Sequence, residues 1–183
     1  MGNVLNRRDI LKLTVAAGVT LATGGITDIS EAVGRDKSPD NKPEHAKDRF
    51  LKSMNCSQAI FETYAPSMGM SVKQARKLAA AFAGGMGMGS ECGAVTAAFM
   101  VIGMKYGKTV DKDTQADGET FKRTAALVKE FKARHEHIAC SALLESDMST
   151  PVGVQLAAEK GYFVSRCPAY VKTVAEILDK MLV

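Results

Sequence analysis

Residues 84–106 read GGMGMGSECGAVTAAFMVIGMKY, and the parsing of this stretch settles what kind of chain carries it. Glycine at 84, 85, 87 and 89 interrupts whatever precedes, and Ser90 offers a helix cap. Glu91 to about Tyr106 is then an apolar run that reads as a buried helix, in a chain whose many Ala and Met suit helices better than strands. The remainder of the chain agrees, having no Trp, only 6% aromatic residues and few runs of β-branched residues. At 183 residues and 46% hydrophobic content, the chain is long enough for one domain with a real core and short for two. The expectation is an all-α, compact single-domain bundle of about six helices.

Helix punctuation is legible on both sides of that stretch. Upstream, Ser71 and Gln74 form a capping-box pattern opening a helix through Leu78 and Phe82, which Gly84 and Gly85 stop. Asn55 precedes the apolar series Ala59, Ile60 and Phe61 and reads as an N-cap, with Gln58 reaching back. Downstream, an amphipathic helix is expected from about Gly118 to His135, with Phe121, Ala125, Val128 and Phe131 near one face. A short helical run covers Ser141 to Leu144. Thr150-Pro151 opens another helix that ends by Gly161. Cys167-Pro168 starts the last one, where Val171, Val174, Ile177, Leu178, Met181 and Leu182 recur at helical spacing.

The first residues read as an address. Asn6-Arg7-Arg8-Asp9-Ile10-Leu11-Lys12 matches the twin-arginine export pattern, and Leu13 to Ile26 is a moderately apolar stretch, short for a membrane span. Ser30-Glu31-Ala32 offers a small-x-small cleavage site. Residues 1–32 are thus expected to be a signal peptide, 33–44 a flexible linker with Pro39 and Pro43, and 45–183 the helical domain. The mature protein is expected in the periplasm or otherwise exported, touching a membrane only through an uncleaved leader. Twin-arginine substrates cross already folded, a route that suits proteins whose cofactor is inserted before export.

The net charge of +4 arises from Lys and Arg dispersed among Asp and Glu, which argues against a nucleic-acid footprint. The densest basic stretch, Lys105 to Lys112, reads as a solvated loop. No Ser/His/Asp pattern or carboxylate pair suggests hydrolysis. Met68-Gly69-Met70 and Met86-Gly87-Met88 repeat a spacing whose thioethers could take Cu(I), although core filling explains it more simply. His135 and His137 could supply nitrogen ligands, or sit as a solvated pair at a helix C-terminus.

The chemistry concentrates in the four cysteines. Cys56, Cys92, Cys140 and Cys167 are each expected at or beside a helix N-terminus, where unpaired N–H groups and the helix dipole favour thiolate over thiol. Thiolates attack disulfides and bind metals. Spacing alone leaves three uses open: two disulfides, structural or in thiol exchange, a Cys₄ zinc site, or a cluster site. No CxxC occurs, and the lack of CxxCH excludes ordinary covalent haem attachment.

Asn55-Cys56-Ser57-Gln58-Ala59, the segment Phe82 to Thr96, Gly103-Met104-Lys105-Tyr106-Gly107, Cys140 before Leu143-Leu144, and Cys167-Pro168 together resemble the C_GCAxxG_C_C family of redox-active proteins. The likeness spans nearly the whole domain and departs from the family pattern at Ala97, where glycine is usual. The same cysteine arrangement resembles the non-haem part of split-Soret cytochrome c. That resemblance implies that Cys56, Cys92, Cys140 and Cys167 bind an iron–sulfur cluster, [2Fe–2S] or [4Fe–4S], in an electron-transfer protein with its own redox partner. If so, the four sulfurs converge in space.

Overall fold

The computed structural model describes residues 39–183, so the leader, its cleavage site and the first half of the linker lie outside the described residues. The described chain is all-α, as expected. It has nine α-helices rather than about six, because two are single turns and one precedes the first that the sequence punctuation marks. That first helix, α1 (Lys42–Ser53), is capped by Asn41, whose side chain accepts the Glu44 N–H, and carries Pro43 in its first turn. The expected linker therefore ends as helix.

Local chemistry then sets each boundary. Asn55 caps α2 (Cys56–Tyr64) by accepting the Gln58 N–H at 2.9 Å. The reciprocal half of the expected capping box is not made, because the Gln58 side chain donates to the Arg76 carbonyl instead. Ser71 and Gln74 do form a full capping box at α3 (Val72–Ala79), which tightens into a 3₁₀ turn over Ala80–Phe82. From Gly84 to Gly87 every residue has positive φ, Met86 included, so this stretch is a left-handed turn. At Gly85 an added Cβ would collide with the backbone of Ser90. The turn delivers the chain to α4 (Gly93–Tyr106), whose residues Ala94, Val95, Ala97, Ala98, Val101 and Ile102 are fully buried.

After α4 the long helix α5 (Thr114–His135) starts four residues earlier than expected, capped by Asp113. Its inward face is also rotated from the expected one. Leu127 and Phe131 are buried while Phe121 is 71% exposed. Short α6 (Cys140–Leu143), α7 (Pro151–Glu159) capped by Thr150, and the single turn α8 (Tyr162–Ser165) lead into α9 (Cys167–Met181). The buried stripe of α9 is Val171, Val174, Ile177 and Leu178, as its spacing predicts.

Helix α4 is the axis of the packing, flanked by α2, α5 and α9, while α1 lies along α9 and α2. Among the buried polar residues of the described chain, Ser57, Glu62, Thr63 and Thr173, one is charged. Glu62 on α2 is 5% exposed and is held by Arg49 of α1 and Arg76 of α3. A buried carboxylate is tolerated only when paired in this way, so Glu62 pins three helices at one point. No helix among the described residues is long and apolar enough to cross a membrane.

Candidate functional site

All four cysteines begin helices. Cys56, Cys140 and Cys167 are the first residues of α2, α6 and α9, and Cys92 is the cap residue of α4. Relative to the sequence reading, Cys92 moves from inside the helix expected from Glu91 to its cap, and Cys140 from just before a helix to its first residue. Their side chains line a single cavity of about 700 Å³.

The convergence has identifiable backbone causes. Ser57 donates to the Ala79 carbonyl (2.7 Å) and the Asn55 amide to the Ala80 carbonyl (3.2 Å), which ties the start of α2 to the end of α3. The left-handed turn beyond then brings the Gly84 N–H onto the Cys56 sulfur, which also receives N–H groups at its own helix end. Gly93, immediately after Cys92, lets α4 come close. A Cβ there would stand 2.7 Å from Cys56 Sγ and 2.7 Å from the Phe82 carbonyl oxygen.

The second pair of segments is joined by an isolated antiparallel bridge between Glu91 and Ala139. The Cys92 N–H donates to the Ile138 carbonyl (2.7 Å), and the Cys140 N–H donates to the Ser90 carbonyl (2.6 Å). Two cysteines 48 positions apart in sequence thus flank one bridge. Cys167 is brought in by the Leu143 carbonyl at the end of α6, which accepts from Tyr170 (3.0 Å) and from Arg166 (3.2 Å).

All four cysteines are free thiols. The thiol of Cys92 is hydrogen-bonded to the sulfur of Cys56, and that bond with the Gly84 N–H holds the Cys56 thiol below its ordinary range. The same interaction, with burial, pushes Cys92 up. Burial, followed by the charge of neighbouring sulfurs, pushes Cys140 and Cys167 up to about 12. The expectation that each helix end favours thiolate therefore needs correcting. At Cys56 the helix-end N–H groups act in the expected direction alongside the larger effect of the Cys92 thiol; at Cys140 and Cys167 desolvation outweighs the helix end, and at Cys92 the bond to Cys56 does so first and burial second.

The remaining sequence candidates sit elsewhere. The ring of His135 packs against Phe131 and Tyr170 and its Nε2 lies 2.9 Å from the Thr173 hydroxyl, so it is a half-buried, packed side chain and not one of a freely solvated pair. His137 is exposed. Met68 and Met70 line a separate surface pocket with Met104, and Met88 is 64% exposed. Among the described residues no group of three or more His, Cys, Asp or Glu closes on a point that would hold a single metal ion.

Sequence reasoning missed Gly93's contact with Cys56, the bridge at Ala139, and Leu143 and Tyr170 as the tie to Cys167. Only the first had a local signal, the glycine directly after a cysteine. A family model described as "Putative redox-active protein (C_GCAxxG_C_C)" matches residues 54–181. No curated protein and no solved structure matches the chain.

Proposed function

The chain belongs to the C_GCAxxG_C_C family of redox-active proteins, and on that premise we propose that Cys56, Cys92, Cys140 and Cys167 together ligate an iron–sulfur cluster in an exported electron-transfer protein. The observation that carries this reading is the lining of one cavity by four thiols drawn from four different helix ends. A soft, all-sulfur donor set is the kind that binds Fe–S clusters. A Cys₄ zinc site would draw on the same four sulfurs, each about 2.3 Å from one ion, and iron and sulfide content separates the two uses.

The protein's own contribution is legible in the backbone. The bound cluster would supply one-electron redox chemistry. Helix-end N–H groups, such as those that meet the Cys56 sulfur, stabilise negative charge on the sulfurs. The bridge at Glu91 and Ala139 holds the Cys92 and Cys140 segments in fixed relation. Burial keeps solvent from the sulfurs, since Cys56, Cys92 and Cys140 are each below one-tenth exposed. Export through the twin-arginine route rests on Arg7 and Arg8 and fits a protein that crosses with its cofactor already in place.

A second reading rests on one contact. The Cys56–Cys92 thiol hydrogen bond also suits a dithiol that forms a disulfide, releasing two protons and two electrons to an oxidant. Iron and acid-labile sulfide are measured on anaerobically purified protein, with the visible spectrum and thermal melt of the parent and Cys92→Ala. The cluster reading expects colour in the parent, lost together with thermal stability in the variant. A colourless parent after reconstitution would remove the cluster and leave the dithiol.

A further inference from the structure

The cysteine cavity is larger than its sulfurs require. It encloses about 700 Å³, within the range of roughly 300–1,000 Å³ in which proteins hold drug-sized ligands. A cluster of at most about eight iron and sulfide atoms fills only part of such a space. Beyond the cysteines, sixteen residues form the wall, and none is Asp, Glu, Lys, Arg or His.

The polar side chains in that wall are already engaged within the protein. The Tyr170 hydroxyl donates to the Leu143 carbonyl (3.0 Å), and the Thr150 hydroxyl donates to the Asp147 carbonyl (3.1 Å) while accepting the Gly153 N–H (3.1 Å). Ser149 donates to Asp147, and the Gln155 amide to Glu159. What remains to meet a ligand is aromatic and aliphatic: Phe50, Phe163, the Tyr170 ring, Leu144 and Met148. An anionic molecule entering here would give up hydration and find no cation among the lining residues, only sulfurs that themselves carry negative charge when ligating. Met54 and Val154 line the cavity and are 47% and 39% exposed, so it opens to solvent between α1 and α7.

We infer that this cavity binds a mostly apolar small molecule that carries no anionic group, against the cysteine sulfurs. The inference deepens the redox reading above and rests on it for the identity of the group the molecule meets, while the ligand class follows from the wall itself.

The test uses the full chain, purified anaerobically, and two dyes of similar shape: neutral N-phenyl-1-naphthylamine and the anion 1-anilinonaphthalene-8-sulfonate. The neutral dye is expected to bind saturably, one per chain, and the sulfonate about tenfold more weakly or worse. Ala158→Trp places an indole in the cavity from the exposed side of α7 and should weaken the neutral dye about tenfold or more, with iron and sulfide contents unchanged. Val154→Asp, at an exposed site on the mouth, should weaken it in the same direction and serves if the Trp variant does not fold. Absence of saturable binding, equal affinity for the two dyes, or indifference to both substitutions would overturn the inference. Iron present without dye binding removes this inference alone, whereas dye binding by protein that holds no iron removes only the cluster.

Discussion

Replacing Gly93 by Ala adds one methyl group at the closest approach in the site. The new Cβ would stand 2.7 Å from Cys56 Sγ on one side, and 2.7 Å from the Phe82 carbonyl oxygen and 3.1 Å from Ala83 Cα on another. Nonbonded carbon contacts settle at about 3.5–4.0 Å, so the neighbours must yield by nearly 1 Å in more than one direction. None is free to do so. Cys56 is held by the Asn55 cap and by the Ser57 and Asn55 bonds to Ala79 and Ala80, and Phe82 and Ala83 are main chain. Overpacking of this kind costs about 1–3 kcal/mol, offset by at most about 1 kcal/mol of helix propensity. A net loss of about 1–2 kcal/mol, read as a drop of roughly 2–8 °C in melting temperature, is expected. Iron content should fall with it, because the displaced sulfur is a proposed ligand. Gly103→Ala, in the same helix with nothing within 4 Å of the added methyl, is the matched control and should be neutral or stabilising by up to about 1 kcal/mol. If Gly93→Ala melts with Gly103→Ala and retains full iron, the close approach of α4 to Cys56 is not what the site depends on.

Three further outcomes are expected. Glu62→Ala, which removes the buried carboxylate shared by Arg49 and the half-exposed Arg76, should cost roughly 1–3 kcal/mol in urea unfolding, and a loss below about 0.5 kcal/mol would show that water serves the arginines as well. Cluster loading should strengthen as pH rises from about 6.5 to 9: Cys92, Cys140 and Cys167 are held protonated above the ordinary thiol range, and ligation must release those protons. A chelator competition that is flat over that range would contradict this. Phe131→Ala should cost about 3–5 kcal/mol, whereas Phe121→Ser, at 71% exposure, should stay within about 0.5 kcal/mol; equal losses would reinstate the face expected from sequence.

What was legible in the sequence was local. Asn55, Ser71 and Thr150 announced their helices because a side chain and the peptide it caps are three residues apart. Helix α1 was missed because its apolar stripe is narrow, with only Ala46 and Phe50 buried among charged neighbours. In α5 the expected face runs through Phe121, Ala125, Val128 and Phe131, but only its Phe131 edge, together with Leu127, is buried, and contact with α4 and α9 decides which part turns inward. The four site residues could be named because cysteine is rare here and each one sits beside helix punctuation. Their electrostatics could not. Burial and sulfur–sulfur contact are set by distant segments, and they reverse the helix-end effect, burial chiefly at Cys140 and Cys167 and the bond to Cys56 chiefly at Cys92.

The left-handed turn has a consequence for how this sequence can drift. Gly85 and Gly87 share nearly the same backbone torsion, with φ of 62° and 67°, yet a side chain at Gly87 meets nothing within 4 Å while one at Gly85 runs into the backbone of Ser90. Asn or Asp, which tolerate this torsion better than other residues, can therefore replace Gly87 but not Gly85. A randomised library selected for folded protein should return a mixed population at one position and a single residue two places earlier. The glycine-rich signature would thus erode unevenly among descendants, and a motif search that weights its glycines alike would lose distant members that still build the same turn.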